Sequence, residues 1–476
     1  IMLSIFGVLL CMFNDSRASE LRAIYETFRH GARYPIGEVG KRDYFDYLWE
    51  GSGELTNVGK RQHYLLGRKI RERYQEFLSE KYTPSELYVV STNVNRTIES
   101  ALSHIQGLYP NNPAFGPSLN TNQLEIAKPP VTLSDSINQK AKNLGKEALP
   151  SSMTVVPINI VDPETHFYPY DEGCPSSQQY AKKYNRETGI EIGQWLMSKY
   201  EDLFLKNFNI ENTKDLAVFN KLEDLTDDFI GGYFNDNDLS KIAPLTEDEF
   251  IKDALIFHKR QFIEYKFGSY KDFFYARLGS THYYQDMIHS IDHRIQLDSE
   301  GKDSEYTTES PKMKMFSAHD DTISSQLSYL RKAFGVELDK EVPFASELIY
   351  ELRREDSGEY YVDIYYQFSE KIFDKVPYSE FKEKILAIAL SEEEINSFCG
   401  FKVTPQNHLQ SLRKEKKGEE SGLESILPIL IVAAVVLMIC VFVIILMSRR
   451  VKSSSIDDIR SFSSSNAQSI VRVRSK

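Results

Sequence analysis

Arg29-His30-Gly31-Ala32-Arg33 sets a guanidinium on either side of an imidazole within five residues. Guanidinium forks match phosphate oxygens two bonds at a time, so the pair reads as a cradle for a phosphoryl group. Gly31 allows backbone to approach closely at that point. An imidazole in such a cradle can attack phosphorus directly, forming a phosphohistidine that water later hydrolyses. A second cluster, Ser317-Ala318-His319-Asp320, lies far along the chain. There His319 can donate a hydrogen bond to a phosphoryl oxygen, and Asp320 can protonate the leaving alkoxide as a general acid. Arg96, in VSTNVNRTIESA, adds a third cation where a helix N-terminus contributes its own positive potential.

Residues so far apart in sequence need a scaffold that gathers them. Residues 21–28 (LRAIYETF) pattern as a strand that runs straight into the first cluster. Residues 55–82 pattern as a helix, with Thr56 as N-cap and Leu65, Leu66, Ile70, Tyr74, Phe77 and Leu78 at helical spacing. A short strand at 87–90 and a helix at 95–108 follow, and this β-α-β-α order predicts a parallel sheet with helices on its faces. At the carboxyl ends of such strands open α/β sheets bind their ligands. Strand patterns resume at 314–317, 348–353 and 360–366, the last two joined across Asp356-Ser357-Gly358 as an antiparallel hairpin. The expected fold is therefore α/β, a mostly parallel sheet flanked by helices, with an inserted mainly helical cap and one C-terminal transmembrane helix.

Composition and charge set the remaining boundaries. With 41% hydrophobic, 12% aromatic and 26% charged residues the chain reads as globular, with enough apolar mass for a sizeable core. A formal net charge of -12 argues against nucleic acid as a partner. The charge is uneven, since residues 448–476 sum to +5 and the rest to -17. Ahead of that basic tail, residues 426–447 hold 22 residues without a charge, about 33 Å as helix and enough to span a bilayer. Residues 1–18 read as a signal peptide. The predicted organisation is signal peptide 1–18, α/β core 19–133 and 302–409, helical cap 134–301, polar stalk 410–425, membrane helix 426–447 and a cytoplasmic Ser-rich tail 448–476. This is a single-pass type I membrane protein with its catalytic domain extracellular or luminal, at the cell surface, lysosome or vacuole. Of four cysteines, Cys11 and Cys440 fall in the leader and the span. Cys174 and Cys399 remain for one disulfide in an oxidising compartment, or for two buried thiols.

Taken together, Arg29-His30-Gly31-x-Arg33-x-Pro35 and a distal His319-Asp320 resemble the histidine acid phosphatase family, the larger branch of the phosphoglycerate-mutase-like superfamily. The likeness extends to Glu54-Leu55-Thr56-x-x-Gly59, Arg61 to Gly67, Ser91-Thr92 with Arg96-Thr97 and Ser100-Ala101, and Pro343-Phe344-Ala345-Ser346. It implies that His30 is the phosphorylated nucleophile, that Arg29, Arg33, Arg96 and His319 bind the phosphoryl oxygens, and that Asp320 protonates the leaving group. It implies no metal or other cofactor, and it matches Cys174 and Cys399 to a long-range bridge of the family. Asn93 departs from the pattern, for family members commonly carry aspartate there. The implied partner is a small phosphomonoester, with a membrane engaged through the single span and a homodimer left open. Two alternatives remain: a phytase-like or other specialised phosphatase with the same chemistry, and a catalytically idle receptor or adhesion ectodomain of the same fold. His282, His289 and His293 share one helical segment, but their surroundings suit a solvated or capped face better than a metal.

Overall fold

A computed structural model describes residues 19–36, 51–161 apart from 113 and 115, 174, 176, 189–211, 216–235, 247–260 and 273–400 apart from 339. The expected leader 1–18, stalk 410–425, membrane helix 426–447 and tail 448–476 lie outside the described residues. Among the described residues no helix is long and apolar enough to cross a membrane.

Strand β1 (Glu20–Arg29) is the centre of the molecule, and its residues are buried from Ala23 to Arg29. Because strand side chains alternate, Ile24 and Phe28 join one core with helices α1 (Asn57–Arg73) and α2 (Asn95–Leu108). Ala23 and Tyr25 join the opposite core. Strands β2 (Leu87–Ser91), β3 (Asn159–Ile160), β4 (Met313–Ala318), β5 (Glu347–Arg354), β6 (Tyr360–Tyr366) and β7 (Glu370–Pro377) complete one sheet in the order β3-β2-β4-β1-β5-β6-β7. The half from β3 to β1 is parallel and the half from β1 to β7 antiparallel. The sheet is thus mixed, which corrects the mostly parallel expectation. The physical reason is β7: the hairpin β5–β6 exposes an edge, and EKIFDKVP returns through a short turn to cover it.

Beyond the sheet, α3 (Asp135–Leu144) follows β2 and α2, and α4 (Ile190–Phe208), α5 (Leu216–Phe234) and α6 (Glu247–Lys259) build a helical layer with its own core. That core, with Phe204, Phe219, Leu222, Phe229 and Phe257, closes onto Ala32 and Phe344 at the sheet's end. Helix α7 (Phe274–Ser299) lies within 134–301 yet packs on the sheet, through Tyr284, Met287 and Ile291, beside α8 (Asp320–Phe334) and α9 (Tyr378–Ala387). A disulfide joins Cys174 to Cys399, at the end of α10 (Glu392–Cys399).

Two local details follow from side-chain chemistry. Thr56 caps α1 as its sequence position suggests, accepting from the Gly59 amide. Helix α1 stops at Arg73, short of the expected 82. Beyond it the Arg71 guanidinium donates to the carbonyls of Leu78, Ser79 and Leu108 and so supports a non-helical turn.

The core also buries acid. Glu347 on β5 is 3% exposed, and burial pushes its carboxyl up to about 7 from an ordinary 4.5. Glu26 on β1 is raised too, by burial and by Glu347. An unfolded Glu347 ionises near 4.5 while the folded one keeps its proton to about 7. The native state therefore loses ground between those values and is level above them, at about 1.4 kcal/mol per pH unit. Glu347→Gln, which cannot ionise, is expected to match the parent at pH 4 and to exceed it by on the order of 3 kcal/mol at pH 8. Denaturant melts at the two pH values check this, and an equal difference at both refutes it.

Candidate active site

The end of β1 and the end of β4 lie side by side, with Arg29 paired to Ala318 in register. From there the chain leaves β1 toward the α1–α2 face and leaves β4 into α8, whose apolar side packs on the other face. The crevice between diverging connections at strand carboxyl ends is where open sheets place ligands. The His30 amide donates to the Ala318 carbonyl at 3.0 Å, and the Arg29 amide to Ser346 at 2.8 Å, so the loop is fixed from both sides. Gly31 is required by close approach: a Cβ there would stand 2.5 Å from the Gly59 carbonyl oxygen. Gln62 and Ser100 complete the turn by holding the amides of Ala32 and Gly31. His63, donating to the Arg29 carbonyl at 3.0 Å, is a structural contact.

His30 is 2% exposed. Its Nδ1 lies 2.9 Å from the Gly31 carbonyl oxygen. A carbonyl only accepts, so Nδ1 carries the proton and Nε2 keeps its lone pair. Burial holds the ring well below its ordinary 6.5, and Arg96, Arg29, His319 and Arg33 push in the same direction. The ring is neutral, with one nitrogen committed and the other keeping its lone pair.

The other cluster residues converge on it. The His319 ring centroid lies 5.5 Å from that of His30, edge to face. Arg96, in the first turn of α2, donates to His319 Nδ1 at 3.4 Å, which assigns the His319 proton to Nε2, donating to Thr92 Oγ1 at 3.0 Å. Burial, with Arg96, holds His319 down to about 3. Donation from Nδ1 to a phosphoryl oxygen thus requires His319 to take up a proton together with the anion. Asp320 opens α8 and pairs with Arg29 at 2.8 Å. Burial alone would raise the Asp320 carboxyl, but Arg29, Arg33 and His319 hold it well below the usual range. Arg33 forks onto Asp227 of α5 at 2.7 and 3.0 Å. The Nε atoms of Arg29 and Arg33 are buried with no hydrogen-bond partner, donors that an arriving anion would satisfy. Beneath both guanidiniums lies the Phe344 ring, 4.3 Å from Arg29 and 6.0 Å from Arg33.

The structure thus brings together His30, Asp320, Arg29, Arg33, Arg96 and His319, every site residue expected from sequence. A small cavity of about 30 Å³ continues from Arg29 and Asp320 between α5 and α6, lined also by Asp227, Leu255, His258 and Val342. Sequence reading missed Asp227, the seat provided by Phe344, and His258, which burial holds down to about 4. No pattern marks Asp227, which at helical spacing stands across α5 from Leu222, Leu225 and Phe229. Among the described residues no group of three metal-ligating side chains is placed to hold an ion. His282, His289 and His293 turn instead to Glu392, Glu309 and Ser310 respectively. Asn93 is exposed.

The chain is similar to known proteins over most of its length. The family described as "Histidine phosphatase superfamily (branch 2)" matches residues 20–367. The lysosomal acid phosphatase of Homo sapiens is 26% identical over 380 residues, 79% of this chain and 76% of the relative. The prostatic acid phosphatase of Bos taurus is 25% identical over 357 residues, 74% of this chain and 78% of the relative. A solved structure of the phytase from Citrobacter braakii superposes with a TM-score of 0.50 at 13% identity, covering 78% of this chain and 98% of that one. That last likeness concerns the fold.

Proposed function

The chain belongs to branch 2 of the histidine phosphatase superfamily, and on that premise we propose that it is an acid phosphatase acting on small phosphomonoesters through a phosphohistidine on His30. The observation that carries this reading is the state of His30: neutral, buried among the charges of Arg96, Arg29 and Arg33, and tied at Nδ1 so that Nε2 keeps its lone pair. In the first step Nε2 forms the N–P bond as the ester P–O bond breaks, and Asp320, as the acid, gives its proton to the departing oxygen. In the second, water attacks phosphorus, its proton passes to Asp320, and the N–P bond breaks to release phosphate. Arg29, Arg33, Arg96 and the amino ends of α2 and α8 supply positive potential to the phosphoryl oxygens, which is the charge a metal would otherwise bring.

Support for the setting is of the same kind. The relatives are named lysosomal and prostatic acid phosphatases, and the Cys174–Cys399 bridge suits an oxidising compartment. We therefore place the catalytic domain in a lumen or outside the cell, anchored by residues 426–447, with the helices of 190–259 as its cap. A catalytically idle ectodomain would have no physical reason to retain nucleophile, acid and cradle in one geometry. Purified full-length protein in detergent is expected to hydrolyse p-nitrophenyl phosphate between pH 4 and 7. No turnover of any monoester across that range would overturn the reading.

A further inference from the structure

Helix α5 carries no motif, yet one of its faces grips the loop that holds the cradle. Asp227, Gly231 and Asn235 recur at intervals of four along the chain, and residues so spaced share a helix face. Asp227 accepts from Arg33 Nη2 at 2.7 Å, from Arg33 Nη1 at 3.0 Å and from the Ile36 amide at 3.0 Å. At Gly231 a Cβ would stand 2.7 Å from Pro35 Cγ, so glycine lets the helix lie on the loop. Asn235 donates to the Arg33 carbonyl at 3.3 Å. Burial would raise the Asp227 carboxyl, but Arg33 and the Ile36 amide hold it low, so it stays an anion.

The geometry of the fork matters more than its charge. A guanidinium offers an end-on edge, Nη1 with Nη2, and a side edge that includes Nε. Asp227 takes the end-on edge of Arg33, while Nε stays buried and unsatisfied. Arg33 is left with one edge for an incoming anion. We infer that Asp227 is the positioning residue of the phosphate cradle: from the helical layer it fixes which edge of Arg33 meets the phosphoryl group. This rests on the phosphatase reading for its ligand. It also ties phosphate binding to the seating of α5 on the Arg33–Ile36 loop.

The test uses full-length protein, inorganic phosphate binding by calorimetry, and p-nitrophenyl phosphate kinetics. Asp227→Asn is expected to raise the phosphate Kd and the ester KM together, by about 10- to 100-fold, the scale of a misplaced binding group. Its kcat/KM should fall at least as far, since Arg33 lends its charge to the phosphoryl oxygens in the transition state as well as in the bound ester. In an Arg33→Ala background the same change should alter the phosphate Kd by less than about twofold, because the residue then has nothing to position. A wild-type Kd in folded Asp227→Asn, or an undiminished effect in the Arg33→Ala background, overturns the assignment. Should Asp227→Asn not fold, Asp227→Glu keeps the charge but moves it by a methylene. It is expected to raise the phosphate Kd at least about threefold, and an unchanged Kd there also overturns the assignment. A wild-type protein that binds phosphate but turns over no ester refutes the hydrolase reading alone, and the Kd comparison still decides on Asp227. One that does neither refutes both.

Discussion

Replacing His30 by alanine is expected to lower p-nitrophenyl phosphate turnover by about four orders of magnitude or more, the scale seen when a covalent nucleophile is removed. No neighbouring group can substitute. His319 is the nearest other imidazole described at the site, and its Nε2 is engaged with Thr92 while Nδ1 faces Arg96. The loss should be chemical and not structural. The loop is held by backbone bonds from Arg29 and His30 to Ser346 and Ala318, and these survive the substitution. A thermal melt close to that of the parent, with phosphate still bound, would establish that point. The same geometry explains how a histidine serves in acid. At pH 4.5 an imidazole of ordinary pKa would be neutral in roughly one molecule in a hundred. Burial and the surrounding arginines hold His30 well below 6.5, so the nucleophile remains available there. Substantial turnover by His30→Ala would remove His30 from the nucleophile's role, while a parent kcat/KM that falls away below pH 6.5 would show that the site does not hold its ring low.

How much of this was readable in the chain follows from how local each feature is. Helix α2 begins and ends at the expected Asn95 and Leu108, because its apolar periodicity and its flanking loops are encoded within its own residues. Helix α1 was overextended, since Tyr74, Phe77 and Leu78 continue the apolar spacing while the stop depends on Arg71 reaching the carbonyls of Leu78 and Ser79 in the turn and of Leu108 at the end of α2. The sheet's parallel half came from β-α-β order. Its antiparallel extension by β7 did not, because EKIFDKVP is largely exposed and shows no buried face. The chemistry was legible where a motif concentrates it: RHGAR sits on a single turn, and His319-Asp320 opens a single helix. Asp227 was not, for its meaning arises only when α5 docks on the Arg33–Ile36 loop. Phe344 was quoted as part of a pattern, yet its place beneath two guanidiniums depends on a loop of β5 meeting the end of β1. Tertiary partners of motif residues are the class of information that pattern alone leaves out.

Asp320→Asn separates the two halves of the mechanism and is expected to do so by leaving group. With an alkyl phosphate, whose alkoxide cannot depart without a proton, kcat should fall by about 10²- to 10⁴-fold, the usual contribution of a general acid. With p-nitrophenyl phosphate the first step should be nearly spared, because p-nitrophenolate leaves as a stable anion. The second step still lacks its base, so acid-labile phosphoprotein should accumulate in a pulse of that ester. The resting pair adds a pH argument. Arg29 lies 2.8 Å from Asp320 and keeps it ionised. A carboxyl held low is charged across the working range, so it becomes an acid only when an arriving phosphoryl group takes over Arg29. Binding of that anion must raise the Asp320 carboxyl, since it both competes for the guanidinium and adds negative charge nearby. Turnover of alkyl esters by the parent should therefore decline as pH rises through the pKa of Asp320 in the complex. The carboxamide introduced by Asp320→Asn cannot titrate, so the variant should lack that decline and show a flat, low profile. Equal losses for alkyl and aryl esters, with the decline intact, would mean that Asp320 only aligns Arg29 and that the proton comes from elsewhere.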